Sequence, residues 1–354
     1  MFVCSKNQAE IAGGMSVPRE KQYGEKKPVI DDCKRKINYL RISVTDRCNL
    51  RCIYCMPPQG IEWLPHEDIL TLEEILTVCR ASVSIGIKNF KLTGGEPLVR
   101  KGFVDFVQNI KAIPGVETVT MTTNGQIFSG LANDLRKAGL DGVNISLDTC
   151  NPHRYAEITR GGSLEATLGA IDAALHVGIP SVKINCVPMR GQDHEDLFAL
   201  SALAKNKPIS VRFIEVMPIG NGQCFETVPN DHIKQILESK LGVLKPVNTK
   251  LGNGPSEYWK PEGFLGHIGF ISAVSHSFCD RCNRVRLTSN GFLKLCLNYE
   301  SGIDLRKILR DGVDDTKLAD IMKIAIANKP SGHKFSSKYR GEGEEHDYMS
   351  QIGG

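Results

Sequence analysis

The sequence predicts an α/β fold, a partial (β/α)6 barrel of the TIM-like kind with a C-terminal α+β extension. Three observations predict it. Short β-rich runs alternate with helical patterns six times between about residues 37 and 240. The beat breaks into Gly- and Pro-rich sequence after residue 243, and polar or sulfur-bearing residues recur where each predicted strand ends. Repeated strand–helix units imply a parallel sheet with right-handed crossovers. Six units are two short of a closed eight-stranded barrel, so the barrel is expected to stay open.

The units run in order. "KINYLRISVT" is β-branched and apolar, and "TLEEILTVCRASVSIG" follows with Leu72, Ile75, Leu76, Cys79 and Val83 on one helical face. Thr71 and Glu74 form a capping box at its start, and Gly86 stands at its end. "IKNFKLT" with "GFVDFVQNIKAI", "VETVTMT" with "FSGLANDLRKAG" and "DGVNISLD" with "SLEATLGAIDAALHVG" continue the beat. "SVKINCV" with "HEDLFALSALAK" and "SVRFIEV" with "DHIKQILESKLG" complete it. Beyond these, residues 244–266 read as loop, and "HIGFISAVS" and "NRVRLTSNGFLKLCL" read as strands. The second is a hairpin turned at Ser289-Asn290-Gly291, and helices are expected at about 303–310 and 316–328. Residues 1–33 are expected to be a flexible leader, 34–242 the barrel, 243–340 the extension and 341–354 a flexible polar tail ending in Gly-Gly.

Composition narrows the functional classes. With 354 residues, 41% of them hydrophobic and 24% charged, the chain can bury a large core. A net charge of +4 does not argue for nucleic acid, and no apolar run reaches the roughly 18 residues of a membrane helix. The first 28 residues lack the apolar h-region of a secretory signal, so a cytoplasmic protein is expected. There, twelve cysteines mean metal or catalysis more often than disulfides.

Half of those cysteines form two tight groups. Cys48, Cys52 and Cys55 follow the first strand, on the face where parallel βα architectures assemble their sites. A thiolate trio can hold zinc with an open fourth position, or a [4Fe–4S] cluster with one iron unligated by protein. Catalytic zinc favours His and carboxylates, and no HExxH occurs. Cys279, Cys282 and Cys296 are again one ligand short, with no second C-x2-C pair, and His276 could complete a zinc site. Arg284 and Arg286 stand at strand period two in the same hairpin, so both face one side. Two guanidiniums there suit a phosphate-bearing ligand, with a solvated strand face as the alternative.

The spacing C-x3-C-x2-C after a first strand, with "GGEP" after the second, resembles the radical S-adenosylmethionine superfamily. The resemblance implies a [4Fe–4S] cluster on Cys48, Cys52 and Cys55, with S-adenosylmethionine as the missing ligand of its free iron. The blocks "YLRISVTDRCNLRCIYCMP", "LTGGEPL", "TTNG", "NISLD", "VKINCV", "RFIEVMP", "FCDRCNRVRLTSNGFLKLCL" and "IGG" are similar to those of the GTP 3′,8-cyclase family, from about Lys34 to Gly354. That family performs the first step of molybdenum-cofactor biosynthesis.

This likeness implies a second [4Fe–4S] cluster on Cys279, Cys282 and Cys296 of the extension. It implies S-adenosylmethionine contacts from Tyr54, Gly95, Ser146 and Met217. The GTP side would be lined by Arg41, Lys91, Thr122, Lys183, Arg212, Arg284, Val285 and Arg286. Catalytic roles would fall on Arg41 and on Gly353 and Gly354, the double glycine entering the pocket near Arg41. The implied reaction cleaves S-adenosylmethionine reductively to a 5′-deoxyadenosyl radical, which abstracts the ribose H3′ of GTP. Closure of the C3′–C8 bond gives (8S)-3′,8-cyclo-7,8-dihydroguanosine 5′-triphosphate. Implied partners are an external flavodoxin-like electron donor and cyclic pyranopterin monophosphate synthase as recipient of the product. A homodimer is allowed, and neither nucleic acid nor membrane is expected.

The sequence departs from the family pattern in two places. Lys91 stands where arginine is usual, which keeps the charge but loses the planar fork, and the Phe-Gly pair usual before Arg35 is missing. Two other readings remain at this point. A peptide-modifying radical enzyme with an auxiliary cluster would share both trios without needing the Arg284/Arg286 pair or the Gly-Gly end. A zinc-binding interaction protein would leave the GGEP loop unexplained.

Overall fold

A computed structural model describes residues 28–248, 251–335 and 345–353. A small ribbon of β1 (Val29–Ile30) and β2 (Lys36–Ile37) precedes the six expected parallel strands. These are β3 (Tyr39–Ser43), β4 (Asn89–Thr93), β5 (Thr118–Thr123), β6 (Gly142–Ser146), β7 (Ser181–Cys186) and β8 (Ser210–Ile214). Their connections carry α1 (Leu72–Ser84), α2 (Phe103–Lys111), α3 (Ala132–Lys137), α4 (Pro152–Thr159), α5 (Leu164–His176) and α6 (His194–Ala202), and α7 (Asn230–Leu241) follows β8. The capping box starts α1 as expected. The Thr71 hydroxyl accepts from the Glu74 amide at 3.1 Å, and the Glu74 carboxylate accepts from the Thr71 amide at 2.7 Å.

The extension joins both edges of the same sheet. β9 (Lys245–Val247), β10 (Glu257–Lys260) and β11 (His267–Ile271) lie on one side, and β12 (Arg284–Leu287), β13 (Phe292–Lys294) and β14 (Gly302–Asp304) on the other. The strand order is β14-β13-β12-β3-β4-β5-β6-β7-β8-β11-β10-β9. β12 runs parallel to β3, and β11 parallel to β8, so the extension adds two strands to the six parallel ones. The described residues leave β11 and β12 unpaired with each other, and the sheet stays open. Within 244–266, read above as loop, the structure has β9 and β10. These strands are too short to show a period, and Trp259 on β10 finds its ring contact on Phe270 of β11, 5.2 Å away.

Strand alternation makes two unlike faces. Leu40, Ile42, Phe90, Leu92, Val211 and Phe213 point outward into the apolar core beneath the helices. The opposite residues, polar or charged, line one cavity of about 430 Å³ together with both cysteine trios. Residues from all eight parallel strands line it, so the sheet curves around this space. Past β14, α8 (Leu305–Arg310) leads into α9 (Asp315–Ala327), which lies against α1.

The tail, expected to be flexible, is folded over residues 345–353. α10 (Met349–Ile352) buries Ile352 against Ile219 and Phe335. Glu345 forms a buried ion pair with Lys294, and its amide donates to the Asn298 carbonyl at 2.9 Å. Long-range anchors hold a segment whose local sequence is too polar to hold itself. Gly354 and leader residues 1–27 lie outside the described residues.

Candidate active site

Cys48, Cys52 and Cys55 occupy the loop after β3 and face the cavity. Backbone bonds fix this loop to the end of α4: Arg51 donates to Thr159 at 3.1 Å and Ile53 to Ile158 at 2.9 Å. The Arg160 guanidinium adds bonds to the carbonyls of Arg51 and Met56, both at 2.9 Å. The "GGEP" loop lies directly against it, with the Gly95 amide donating to Thr45 and the Glu96 amide to Arg47, both at 2.8 Å. A Cβ on Gly95 would fall 2.3 Å from the Arg47 carbonyl oxygen, so only glycine permits this approach.

Glu96 is fully buried and outside the cavity lining. Its carboxylate accepts from the Leu98 amide, the Thr123 hydroxyl and the Asn124 amide at 2.7 to 3.1 Å. Burial pushes the Glu96 carboxyl up to about 7 despite those bonds. Glu96 therefore ties the glycine loop to the end of β5. Tyr54 lines the cavity, and its hydroxyl donates to Asp148 at 2.8 Å. Gly95, Ser146 and Met217 line the same space.

Cys279, Cys282 and Cys296 line that cavity from the extension. Arg35 clamps this side. Its guanidinium pairs with Asp31 at 2.7 Å and donates to the carbonyls of Cys279, Ser331, Lys329 and Pro330 at 2.6 to 3.2 Å.

The donor set fits two iron–sulfur clusters. All six cysteines are free thiols. N–H groups point at their sulfurs, from Leu50 to Cys48 at 3.4 Å and from His333 to Cys279 at 3.4 Å, as thiolate ligands require. His276 is exposed and lies 3.6 Å from Asp231, and it is absent from the cavity lining, so it does not complete a zinc site.

The two trios differ electrostatically. Burial raises all three thiols of the first, Cys55 to about 12. In the second, burial also raises Cys279, but hydrogen bonds from His333 and Ser277 outweigh it and hold that thiol near 6. Cys282 is likewise lowered, burial being outweighed by Lys329 and Arg284. Burial raises Cys296.

Between the trios the barrel interior is cationic. Arg286, Arg41 and Lys91 stand side by side in register on β12, β3 and β4, and Lys183 and Arg212 line the same space from β7 and β8. Polar residues recur at the predicted strand ends, and by that reading Lys183 and Arg212 would lie at or near them too. Both are instead third residues of their strands, set within the barrel by the inward phase of the alternation. Burial depresses the Lys91 amine well below the usual lysine range, and Arg212, Arg41 and Lys183 add repulsion. Burial lowers Arg41 to about 10. An anion entering this space relieves the crowding.

Thr122 and Arg284 also line the cavity. The alternation that turns Arg284 and Arg286 inward sends the Val285 side chain into the outer core, leaving only its backbone near the interior. Gly353 reaches the site, its carbonyl accepting from the Arg286 guanidinium at 2.9 Å. It fits against Ser43 and Thr93 with φ +75°. Lys329, His333 and Asn298 also line the cavity without belonging to any motif read above. Lys329 and His333 are brought there by the returning chain, and Asn298 by following Cys296.

Residues 42–204 match the radical SAM superfamily, and residues 209–335 match Molybdenum Cofactor Synthesis C. The GTP 3′,8-cyclase of Pelotomaculum thermopropionicum is 46% identical over 327 residues, covering 92% of this chain and 99% of that one. That of Moorella thermoacetica is 45% identical over 326 residues, with the same coverage. Among solved structures, Streptococcus suis SuiB bound to S-adenosylmethionine superposes with a TM-score of 0.57 at 14% identity, over 82% of this chain and 68% of that one, which shows the shared fold. The chain belongs to the GTP 3′,8-cyclase family of radical S-adenosylmethionine enzymes.

Proposed function

We propose that this chain cyclises GTP, with S-adenosylmethionine bound at the first trio and the nucleotide between the interior cations and the second trio. One observation carries the reading: both incomplete cysteine trios and the cation cluster open into a single cavity. When bound on Cys48, Cys52 and Cys55, a [4Fe–4S] cluster supplies the electron that cleaves S-adenosylmethionine. Tyr54, Gly95, Ser146 and Met217 hold and orient the cosubstrate. Arg41, Lys91, Lys183, Arg212 and Arg286 carry the triphosphate charge, and Thr122, Arg284 and the Val285 backbone complete the nucleotide contacts. Arg41, Gly353 and Gly354 carry the catalytic roles, with Gly353 closing the space beside Arg286 and keeping water from the reacting ribose.

The external reductant would be a flavodoxin-like donor. The product would pass to cyclic pyranopterin monophosphate synthase, in the cytoplasm, with a homodimer as one allowed state. No described helix is long and apolar enough to cross a membrane.

Anaerobic reconstitution tests the reading. About eight irons per chain, and 5′-deoxyadenosine plus a cyclised GTP isomer formed only when dithionite, S-adenosylmethionine and GTP are all present, is the expected result. Eight irons without any response to GTP would point to another substrate.

A further inference from the structure

Asn298 follows Cys296 by two residues and is 5% exposed. Its backbone is committed, the amide pointing at the Cys296 sulfur and the carbonyl accepting from Glu345. Its side-chain nitrogen is buried and has no hydrogen-bond partner among the described residues, yet the residue lines the cavity. A buried amide left unpaired is costly, and it is retained where a ligand completes it.

The surroundings indicate what that ligand presents. Phe278, His333 and Phe335 line the same cavity, the last two stacked with ring centres 4.1 Å apart. Flat rings beside one unpaired amide suit a planar heteroaromatic group. Four of the five phosphate-binding cations, Arg41, Lys91, Lys183 and Arg212, lie on the barrel strands β3, β4, β7 and β8, whereas Asn298 belongs to the extension. A nucleotide held by its phosphates therefore turns its base toward Asn298.

We propose that the Asn298 amide donates to the 6-carbonyl oxygen of the purine and thereby selects 6-oxopurine over 6-aminopurine nucleotides. This rests on the nucleotide reading above. A 6-amino group would face the amide donor with donors of its own, leaving both unpaired.

The test uses reconstituted holoenzyme with S-adenosylmethionine and no reductant, so that binding is read without turnover. Dissociation constants are measured for GTP, ITP, ATP and 2,6-diaminopurine riboside triphosphate. GTP and ITP should bind alike, and the two 6-amino nucleotides about tenfold to a hundredfold more weakly. Asn298→Ala should weaken GTP and ITP about tenfold and leave the 6-amino pair unchanged. Asn298→Asp, of the same shape but offering only acceptors, should shift the preference toward the 6-amino pair. Equal iron content shows that the second trio survives, and if the alanine variant loses iron the aspartate variant carries the test. A GTP-to-ATP ratio unchanged by the variants, or ITP binding as weakly as ATP, overturns the inference while leaving the nucleotide reading intact. Failure of the unaltered enzyme to bind any of the four triphosphates overturns both.

Discussion

The two cysteine trios face one cavity, but different physics holds each in place. The first is held chiefly by backbone: rungs from Arg51 and Ile53 to the end of α4, and a glycine loop pressed against Thr45 and Arg47. The second is held by side chains from far away. Arg35 reaches across 244 residues to Cys279, and the carbonyls of residues 329–331 share the same guanidinium. The thiol environments differ in the same sense. Burial keeps the first trio's thiols high, while His333, Lys329 and Arg284 make part of the second electropositive. A site held by backbone and glycine constrains local sequence tightly, whereas one held by distant cations constrains it loosely.

The comparison breaks first at the ligands. Cys52→Ser should abolish 5′-deoxyadenosine formation. Cys282→Ser should retain cleavage of S-adenosylmethionine while losing the cyclised nucleotide, each variant keeping about four irons. Mass spectrometry of the two products checks this, and loss of both products in both variants would show that the trios do not divide the work.

The clamp comes next. Arg35→Ala leaves Asp31 buried without its cation and several carbonyls without a donor, and should cost about 3–5 kcal/mol in unfolding free energy. Iron should leave the second trio and stay on the first. Equal loss from both would contradict a selective clamp.

Lys91 sharpens the picture of the space between. Its folded-state pKa is depressed by burial, then by Arg212, Arg41 and Lys183, so the unfolded chain binds the extra proton between the folded and unfolded values. Stability therefore rises with pH through that interval. Lys91→Met should raise the melting temperature at neutral pH, flatten that rise and weaken GTP binding about tenfold or more. A variant less stable than the parent at pH 7 would show that the charge is compensated.

The smallest effect is expected at Tyr54. Tyr54→Phe removes one hydrogen bond to Asp148, worth about 1 kcal/mol, and should weaken S-adenosylmethionine a few-fold while leaving GTP affinity unchanged.

These contrasts also explain what could be read from the chain. The six strand–helix units were legible because outward residues such as Leu40, Ile42, Phe90 and Leu92 keep a period of two and α1 carries its own capping box. The first trio was legible because its own spacing and the GGEP loop after the next strand each form a compact motif. The edge strands β9 and β10 were not, since three or four residues show no period. The interior depth of Lys183 and Arg212 depends on strand phase, which strand-end reasoning misplaced. Arg35, Lys329 and His333 carry no motif because their place is set by chain return, and Asn298 stands just past the last cysteine with no pattern to mark it. The packed tail owes its order to Lys294 and Ile219, both remote in sequence.

The division of labour between the trios is tested most directly by electron paramagnetic resonance of the reduced Cys52→Ser and Cys282→Ser variants, each titrated with S-adenosylmethionine and with GTP. S-adenosylmethionine should perturb only the spectrum retained in Cys282→Ser, and GTP chiefly that retained in Cys52→Ser. If both ligands perturb the same cluster and leave the other unchanged, the account of two trios with separate ligands is wrong.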